Sequence, residues 1–100
     1  MRLGTTPTHT FDVPFPVDTI RDLRIVYAQA GSEVLVKEKY DCEMEGHQIT
    51  VKLTQEDTFL FNPNLYVEAQ IRVLTIEGEV MASDIVRITP YRVLGEEVAL

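Results

Sequence analysis

The stretch "DCEMEGHQITVKL" (41–53) decides the fold, because it is either a cluster of metal ligands or the two strands of a hairpin. A two-residue loop at Glu45-Gly46 places all the apolar side chains of the stretch on one face, with Cys42 among them. The carboxylates of Asp41 and Glu43 then lie on the opposite, polar face. A one-residue slip would bury those charges, so the alternation favours a half-buried antiparallel hairpin.

The hairpin argues against a metal site. Zinc ligands must converge at about 2.0–2.3 Å, and a thiol on one face of a sheet cannot share an ion with carboxylates on the other. A calcium site built from Asp41, Glu43 and Glu45 alone lacks the loop carbonyls that complete such a shell. We therefore expect no metal and no cofactor, with Cys42 as a small core residue and His47 in the turn.

Period-two alternation extends over most of the 100 residues. Single glycines in "QAGS", "MEGH" and "IEGE" separate the alternating runs, as hairpin turns require. "TQEDT" has the form of a weak capping box, and Asp18 is placed to cap one further helical turn. We predict one domain, 1–100, of all-β class: an antiparallel, two-sheet, immunoglobulin-like sandwich of about seven strands. A barrel is the alternative. The alternating runs are "THTFDVPF", "LRIVYAQ", "EVLVKEKYDCEM", "QITVKLT", "LYVEAQIRVLT" and "VMASDIVRIT".

The charge balance limits the partners. Sixteen acids against nine Lys and Arg give a net charge of −7, the wrong sign for a nucleic-acid backbone or an anionic membrane surface. One cysteine allows no internal disulfide. The start, "MRLGTTPTHT", has no apolar core of a signal peptide, so we expect synthesis in a cytoplasm without export.

The sequence offers no catalytic constellation, and we expect no enzyme. His9 and His47 are far apart, and no serine or cysteine lies in a recognisable nucleophile motif. In the predicted last hairpin Val73 pairs with Ala82, which leaves Asp84 on the core face. A bulge at Ser83-Asp84 or hydrogen bonds from a loop would accommodate that carboxylate.

Apolar residues on the predicted outward faces are candidates for an interface. Exposed aliphatic clusters of this kind mark contact surfaces unless loops or the tail fold back over them. Segments 1–7 and 95–100 have no clear place in a sandwich core, so we expect them to be flexible or to contact partners. The candidate interface residues are Val26, Leu35, Leu74, Met81 and Ile85.

The segments "MRLGTTPTHTFDVPF", "GHQITVKLTQEDT" and "VEAQIRVLTIEGEVMASDIVRI" carry a family resemblance. The chain resembles small proteins encoded in phage and prophage structural-gene regions of Gram-positive bacteria. It is also similar to the immunoglobulin-like N-terminal module of phage baseplate proteins. The resemblance implies a non-enzymatic structural or adaptor role in a virion, of tail or baseplate type. Expected partners are other virion proteins and further copies of the chain, not nucleic acid or membrane.

The alternative is a module that binds carbohydrates or a host surface. Such sandwiches usually present exposed aromatic rings for stacking on sugars. The alternation places Tyr27 and Tyr40 inward, so Tyr66 and Tyr91 are the rings left for such a role.

Overall fold

The computed structural model describes residues 1–83 and 85–91, and it consists mainly of β-strands. The one α-helix among them, α1 (Gln55–Phe59), is short, and no helix of this part could cross a membrane. Two 3-10 turns cover Val17–Thr19 and Lys39–Asp41. The strands are β1 (Thr8–Asp12), β2 (Ile20–Gln29), β3 (Ser32–Glu38), β4 (Cys42–Glu45), β5 (Gln48–Lys52), β6 (Val67–Thr75), β7 (Val80–Ala82) and β8 (Val86–Ile88).

The strands form two antiparallel sheets, which confirms the sandwich over the barrel. One sheet has the order β1-β5-β4. The other has the order β3-β2-β6, and β7 and β8 both pair with the remaining edge of β6. This is the immunoglobulin arrangement, with β1, β5 and β4 at the B, E and D positions and β2, β3, β6 and β7–β8 at C, C′, F and G.

The core lies between the sheets and is built from the inward side chains of both. Tyr27 and Ile25 of β2 are fully buried, as are Ile49 and Val51 of β5. Burying such side chains contributes about 1.5–3 kcal/mol each before the entropy of ordering is subtracted. Neither a disulfide nor a tryptophan is present, so aliphatic packing around Tyr27 fills the centre.

The hairpin at 41–53 has the predicted faces with a shifted pairing. Cys42 lies opposite Val51 and Met44 opposite Ile49, because the two-residue turn is Gly46-His47 rather than Glu45-Gly46. Gly46 takes a φ of +59°, which favours glycine. A shift of two residues on the partner strand preserves the side-chain period, so Cys42 still faces inward.

Tyr40 is exposed over 86% of its surface, and the prediction that it faces inward was wrong. The alternating run does not continue as one strand, because Lys39–Asp41 form a 3-10 turn between β3 and β4. The Asp41 carboxylate accepts a hydrogen bond of 2.9 Å from the Glu38 N–H and holds this turn. The predicted capping box at Thr54 is confirmed, since its hydroxyl accepts from the Asp57 N–H at the start of α1.

The last hairpin departs from the predicted register in one half. A three-residue loop, 76–78, joins β6 to β7, because the Thr75 N–H donates to the Glu79 carbonyl at 2.9 Å. Val73 therefore pairs with Met81 rather than with Ala82. In β8 the predicted pairing of Glu68 with Arg87 is confirmed.

The two halves of this hairpin differ by one residue in register. Arg72 pairs with Ala82, and Ala69 pairs with Val86. Between these two pairs the chain advances by four residues from Ala82 to Val86 but by only three residues on β6. That offset is a β-bulge in the expected stretch. Asp84 itself lies outside the described residues.

Residues 1–7, which we expected to be flexible or to contact partners, pack against the domain, and contact with a partner stays a prediction. Leu3 is buried, its N–H donates to the Tyr91 carbonyl at 2.9 Å, and Arg2 forms a parallel bridge with Tyr91. The Gly4 N–H donates to the Thr58 hydroxyl at 2.8 Å. The predicted tail 95–100 lies outside the described residues.

Candidate functional site

The potential ligands of the stretch 41–47 point in different directions. Cys42 faces the core, Glu43 and Glu45 face outward from β4, and the His47 ring lies 3.2 Å from the Val13 carbonyl oxygen. In the described parts, 1–83 and 85–91, no three His, Cys, Asp or Glu side chains are grouped to hold a metal ion.

The Cys42 thiol is half-buried and donates to the Glu38 carbonyl at 3.4 Å. Burial, followed by the negative charge of Asp41, raises the pKa of Cys42 to about 11. The thiol is therefore protonated at neutral pH, whereas a nucleophilic cysteine requires the thiolate.

A polar bridge crosses the core from one sheet to the other. The Nδ1 atom of His9 on β1 lies 2.7 Å from the hydroxyl oxygen of Tyr27 on β2, and the Tyr27 ring meets Phe61 edge-on at 6.0 Å. Burial lowers the pKa of His9, and the chain's amino terminus lowers it further. Burial also raises the pKa of Tyr27. Both groups are therefore held neutral. The sequence indicates the inward position of His9, since His9 lies two residues before Phe11 and therefore on the same face of β1.

A second polar link joins β3 to α1. The Lys37 ammonium lies 2.8 Å from the Asp57 carboxylate, and both side chains are about 15% exposed or less. Burial alone would raise the pKa of Asp57, but the bonds from Lys37 and Thr54 outweigh it and hold the pKa below its usual value. Lys37 takes an inward position opposite Ile25, which the predicted alternation of β3 did not anticipate.

The predicted interface residues do not share one surface. Val26 and Leu74 take outward positions on the five-stranded sheet. Leu35 pairs with Tyr27 and Met81 pairs with Val73, so both take core-facing positions, and their placement on the outer face was wrong. Ile85 is 56% exposed.

Irregular pairing explains both errors. In β3, Leu35 pairs with Tyr27 and Glu33 pairs with Ala28. A β-bulge therefore places one extra residue of β3 between two adjacent residues of β2. The bulge places Val36, rather than Leu35, opposite Val26. In the last hairpin the three-residue loop places Val80, which is 62% exposed, opposite Leu74. Sequence reasoning therefore missed Val36 and Val80.

The outward-pointing side chains of the five-stranded sheet, which we name the outer sheet face, combine aliphatic pairs with nearly balanced charges. The pairs Val26–Val36 and Leu74–Val80 lie among three arginines and four acids, which gives the face a net charge of −1 against −7 for the chain. Its residues are Asp22, Arg24, Val26, Ala28, Glu33, Val36, Glu38, Glu68, Gln70, Arg72, Leu74, Val80, Ala82 and Arg87.

An apolar cavity of about 390 Å³ opens on another side of the sandwich, between β1 and the β7–β8 edge. Its walls include Phe11 and Val13 from one sheet and Val73 and Met81 from the other. A neighbouring cavity of about 340 Å³ shares Phe15 and Met81 with it.

The tyrosines considered for sugar stacking are exposed but partly covered. The Arg87 guanidinium lies 5.7 Å from the centre of the Tyr66 ring, and that of Arg2 lies 5.3 Å from the Tyr91 ring. Each arginine takes up ring surface that a sugar would need.

No family model and no curated protein matches this chain. Among solved structures, the V domain of amphioxus IgVJ-C2 aligns over 90% of this chain and 96% of its own, with 10% identity and a TM-score of 0.37. The immunoglobulin-like fold is established by the strand order of the two sheets rather than by this distant match.

Proposed function

We propose that this domain is a non-enzymatic structural or adaptor module, of the phage tail or baseplate type that its sequence resembles, and that it acts through protein–protein contacts. The observation that carries the proposal is the outer sheet face. It brings two aliphatic pairs, Val26–Val36 and Leu74–Val80, onto a nearly neutral surface of an otherwise acidic domain.

The charge of the outer sheet face supports contact with a second copy. A net charge of −7 repels other copies in most orientations. Across a twofold axis, however, the arginines of one outer sheet face can meet the acids of the other. Arg24 and Glu38 already pair at 3.6 Å within one chain and could exchange partners. A stable interface would bury about 1,200–2,000 Å² in total, so the aliphatic pairs would form its centre.

Light scattering coupled to size exclusion, over a range of protein concentrations, tests self-contact. We expect the mass of the wild-type domain to rise above that of a monomer, and the double variant Val26→Lys Leu74→Lys to remain monomeric. Both substitutions reduce the net negative charge, so loss of association cannot come from general repulsion. Leu60→Lys is the control, because Leu60 is an exposed aliphatic residue at the end of α1 and is not part of the outer sheet face. Self-contact is excluded if wild type stays monomeric, or if the control dissociates equally.

The virion assignment is supported by the resemblance and has its own test. The gene should lie among tail-structural genes, and a tagged chain should copurify with assembled phage particles. Copurification should weaken in Val26→Lys Leu74→Lys and persist in Leu60→Lys. A gene located among metabolic genes, with no copurification, would remove the assignment.

A further inference from the structure

One side of the sandwich, which we name the open seam, is closed only at one end. The seam runs between β1 and the β7–β8 edge. At the closed end the Met1 ammonium donates to the Thr89 carbonyl at 2.9 Å, and the Tyr91 N–H donates to the Met1 carbonyl at 2.7 Å. Farther along, from Thr10 to Phe15, no described strand lies between the two sheets, and the cavities open there.

Both borders of the seam present backbone groups without a strand partner among the described residues. β1 bonds to β5 through its odd-numbered residues. Two hydrogen bonds fix this: the Leu53 N–H donates to the Pro7 carbonyl, and the Val13 N–H donates to the His47 carbonyl. Because bonding alternates in antiparallel pairs, the N–H and C=O groups of Thr10, like those of its even-numbered neighbours, point into the seam.

The same reasoning applies to β7. The Glu79 carbonyl and the Ser83 N–H are bonded to β6, so the backbone groups of Val80 and Ala82 point away from it. Unpaired edges of this kind are templates for an added strand.

The floor of the seam has the spacing of a strand. Phe11, Val13 and Phe15 line it at every second position, with Met81 facing them from β7 and Ile76 at the far end. Side chains at alternate positions of an extended chain are about 7 Å apart, so a strand laid in the seam would insert every second side chain into the cavities.

The rim of the seam is acidic. Asp12 borders the first cavity, and Glu77 and Glu79 border the second. Among the described residues that line the two cavities there is no lysine or arginine. A second copy of this chain, with its net charge of −7, is a poor electrostatic match for that rim, whereas a basic segment is a good one.

We propose that the open seam binds an extended segment of a different polypeptide as an added β-strand along β1, and that this segment has apolar residues at alternate positions and lysine or arginine beside them. Backbone bonds to the edge would supply affinity, and the cavities with their acidic rim would supply selectivity. The proposal goes beyond the outer sheet face and does not depend on it, since the two surfaces involve different sides of the sandwich.

Selection from a displayed library of random nonapeptides, with the full-length domain as bait, tests the proposal. We expect enriched peptides to alternate apolar and polar residues and to contain Lys or Arg. Binding of an enriched peptide, measured by fluorescence anisotropy, should weaken by about tenfold in Asp12→Lys Glu79→Lys. The matched variant Glu43→Lys Glu45→Lys makes the same charge change on β4 and should bind as wild type. Val26→Lys Leu74→Lys should also bind as wild type, which separates this proposal from the proposed function.

Amide hydrogen exchange of the complex locates the peptide. The amides of Thr10 and Asp12 should become protected when the peptide binds, and those of Val26 and Leu74, on strands away from the seam's borders, should not change. Two binding results would overturn the proposal: no enrichment, or peptides that bind Asp12→Lys Glu79→Lys and Glu43→Lys Glu45→Lys equally well. Two exchange results would also overturn it: Thr10 and Asp12 amides already protected in the free monomer, or protection that grows with protein concentration alone, which would mean that a second copy fills the seam.

Discussion

His9 and Tyr27 connect the two sheets through one partly buried hydrogen bond of 2.7 Å. Tyr27 is fully buried, and the part of the chain that the structure describes holds no buried side-chain N or O atom without a partner. The bond therefore satisfies the buried Tyr27 hydroxyl and the half-buried His9 ring, and removal of either group takes away the other's partner.

Tyr27→Phe should lower the free energy of unfolding by about 1–3 kcal/mol, because the ring still fills its place but His9 loses its partner. Urea denaturation measures the change. Tyr40→Phe is the control and should have almost no effect, since Tyr40 is 86% exposed. Equal effects of the two substitutions would contradict the buried bridge.

The stability of the domain should fall in mild acid because of His9. Burial lowers the pKa of His9 in the folded state below the ordinary 6.5. Between the two pKa values the unfolded chain binds more protons, so this contribution is complete above about pH 6.5 and is lost as pH falls through the folded-state pKa. Denaturation from about pH 8 to about pH 5 should show a shallower decline for His9→Gln than for wild type. Equal slopes for His9→Gln and wild type would contradict the contribution assigned to His9.

The sheets could be predicted from the sequence because alternation is a property of each strand by itself. Ile49, Val51 and Cys42 face inward as expected, although the turn between their strands lies one residue later. A shift of two residues in the pairing of two strands leaves the same side chains facing the core, because side chains alternate with a period of two. The predicted fold class therefore does not change with such an error.

Register and the candidate surfaces could not be predicted, because they depend on single extra residues. The bulge between Leu35 and Glu33 reversed the faces assigned to β3, and the three-residue loop before Glu79 reversed those of β7. Neither irregularity changes hydrophobic alternation within its own strand. One local signal was available: Asp41 stands three residues after Glu38, the spacing of the capping box that was correctly identified at Thr54.

Loss of the Asp57 carboxylate should destabilise the fold more than loss of the Lys37 ammonium. Asp57→Ala leaves a largely buried ammonium unpaired and removes the carboxylate that accepts from the Thr54 N–H in the capping box of α1, and it should cost about 3–5 kcal/mol. Lys37→Met should cost less, about 1–2 kcal/mol, since Thr54 still binds the carboxylate.

Urea denaturation measures both changes at neutral pH. Arg24→Met breaks a pair that is 3.6 Å apart and more exposed, and it serves as the control with an effect below about 1 kcal/mol. The contribution of Asp57, whose folded pKa is lowered, should be complete above pH 3.8 and disappear as pH falls through that folded value. A larger loss in Lys37→Met than in Asp57→Ala would contradict this ranking.

Cys42 should react slowly with thiol reagents while the domain is folded. Its pKa of about 11 instead of 9 leaves about a hundredfold less thiolate near pH 8, and partial burial limits access further. Reaction with a chromogenic disulfide reagent should therefore be at least about a hundredfold slower in the native protein than in guanidinium. Equal rates in the two states would mean that Cys42 is exposed and that β4 does not face the core as described.

Met81 and Val80 provide a direct test of the last hairpin, because they are adjacent residues of β7 that take opposite faces. Met81 pairs with Val73 on the core side, and Val80 pairs with Leu74 on the outer sheet face. Met81→Asp should lower the free energy of unfolding by about 1–3 kcal/mol, because it inserts a carboxylate against the core edge without a partner. Val80→Asp should change it by less than about 1 kcal/mol.

Urea denaturation of Met81→Asp and Val80→Asp, measured side by side, shows which substitution lowers the free energy of unfolding more. The tight two-residue turn that alternation alone predicts would place Val80 inward and Met81 outward, so it requires the opposite order. If Val80→Asp is the more damaging substitution, the loop at 76–78 is shorter than described and Met81 belongs to the outer sheet face. The cavity wall that Met81 supplies to the open seam would then be absent as well, so one ranking tests both the register of β7 and the floor on which an added strand would lie.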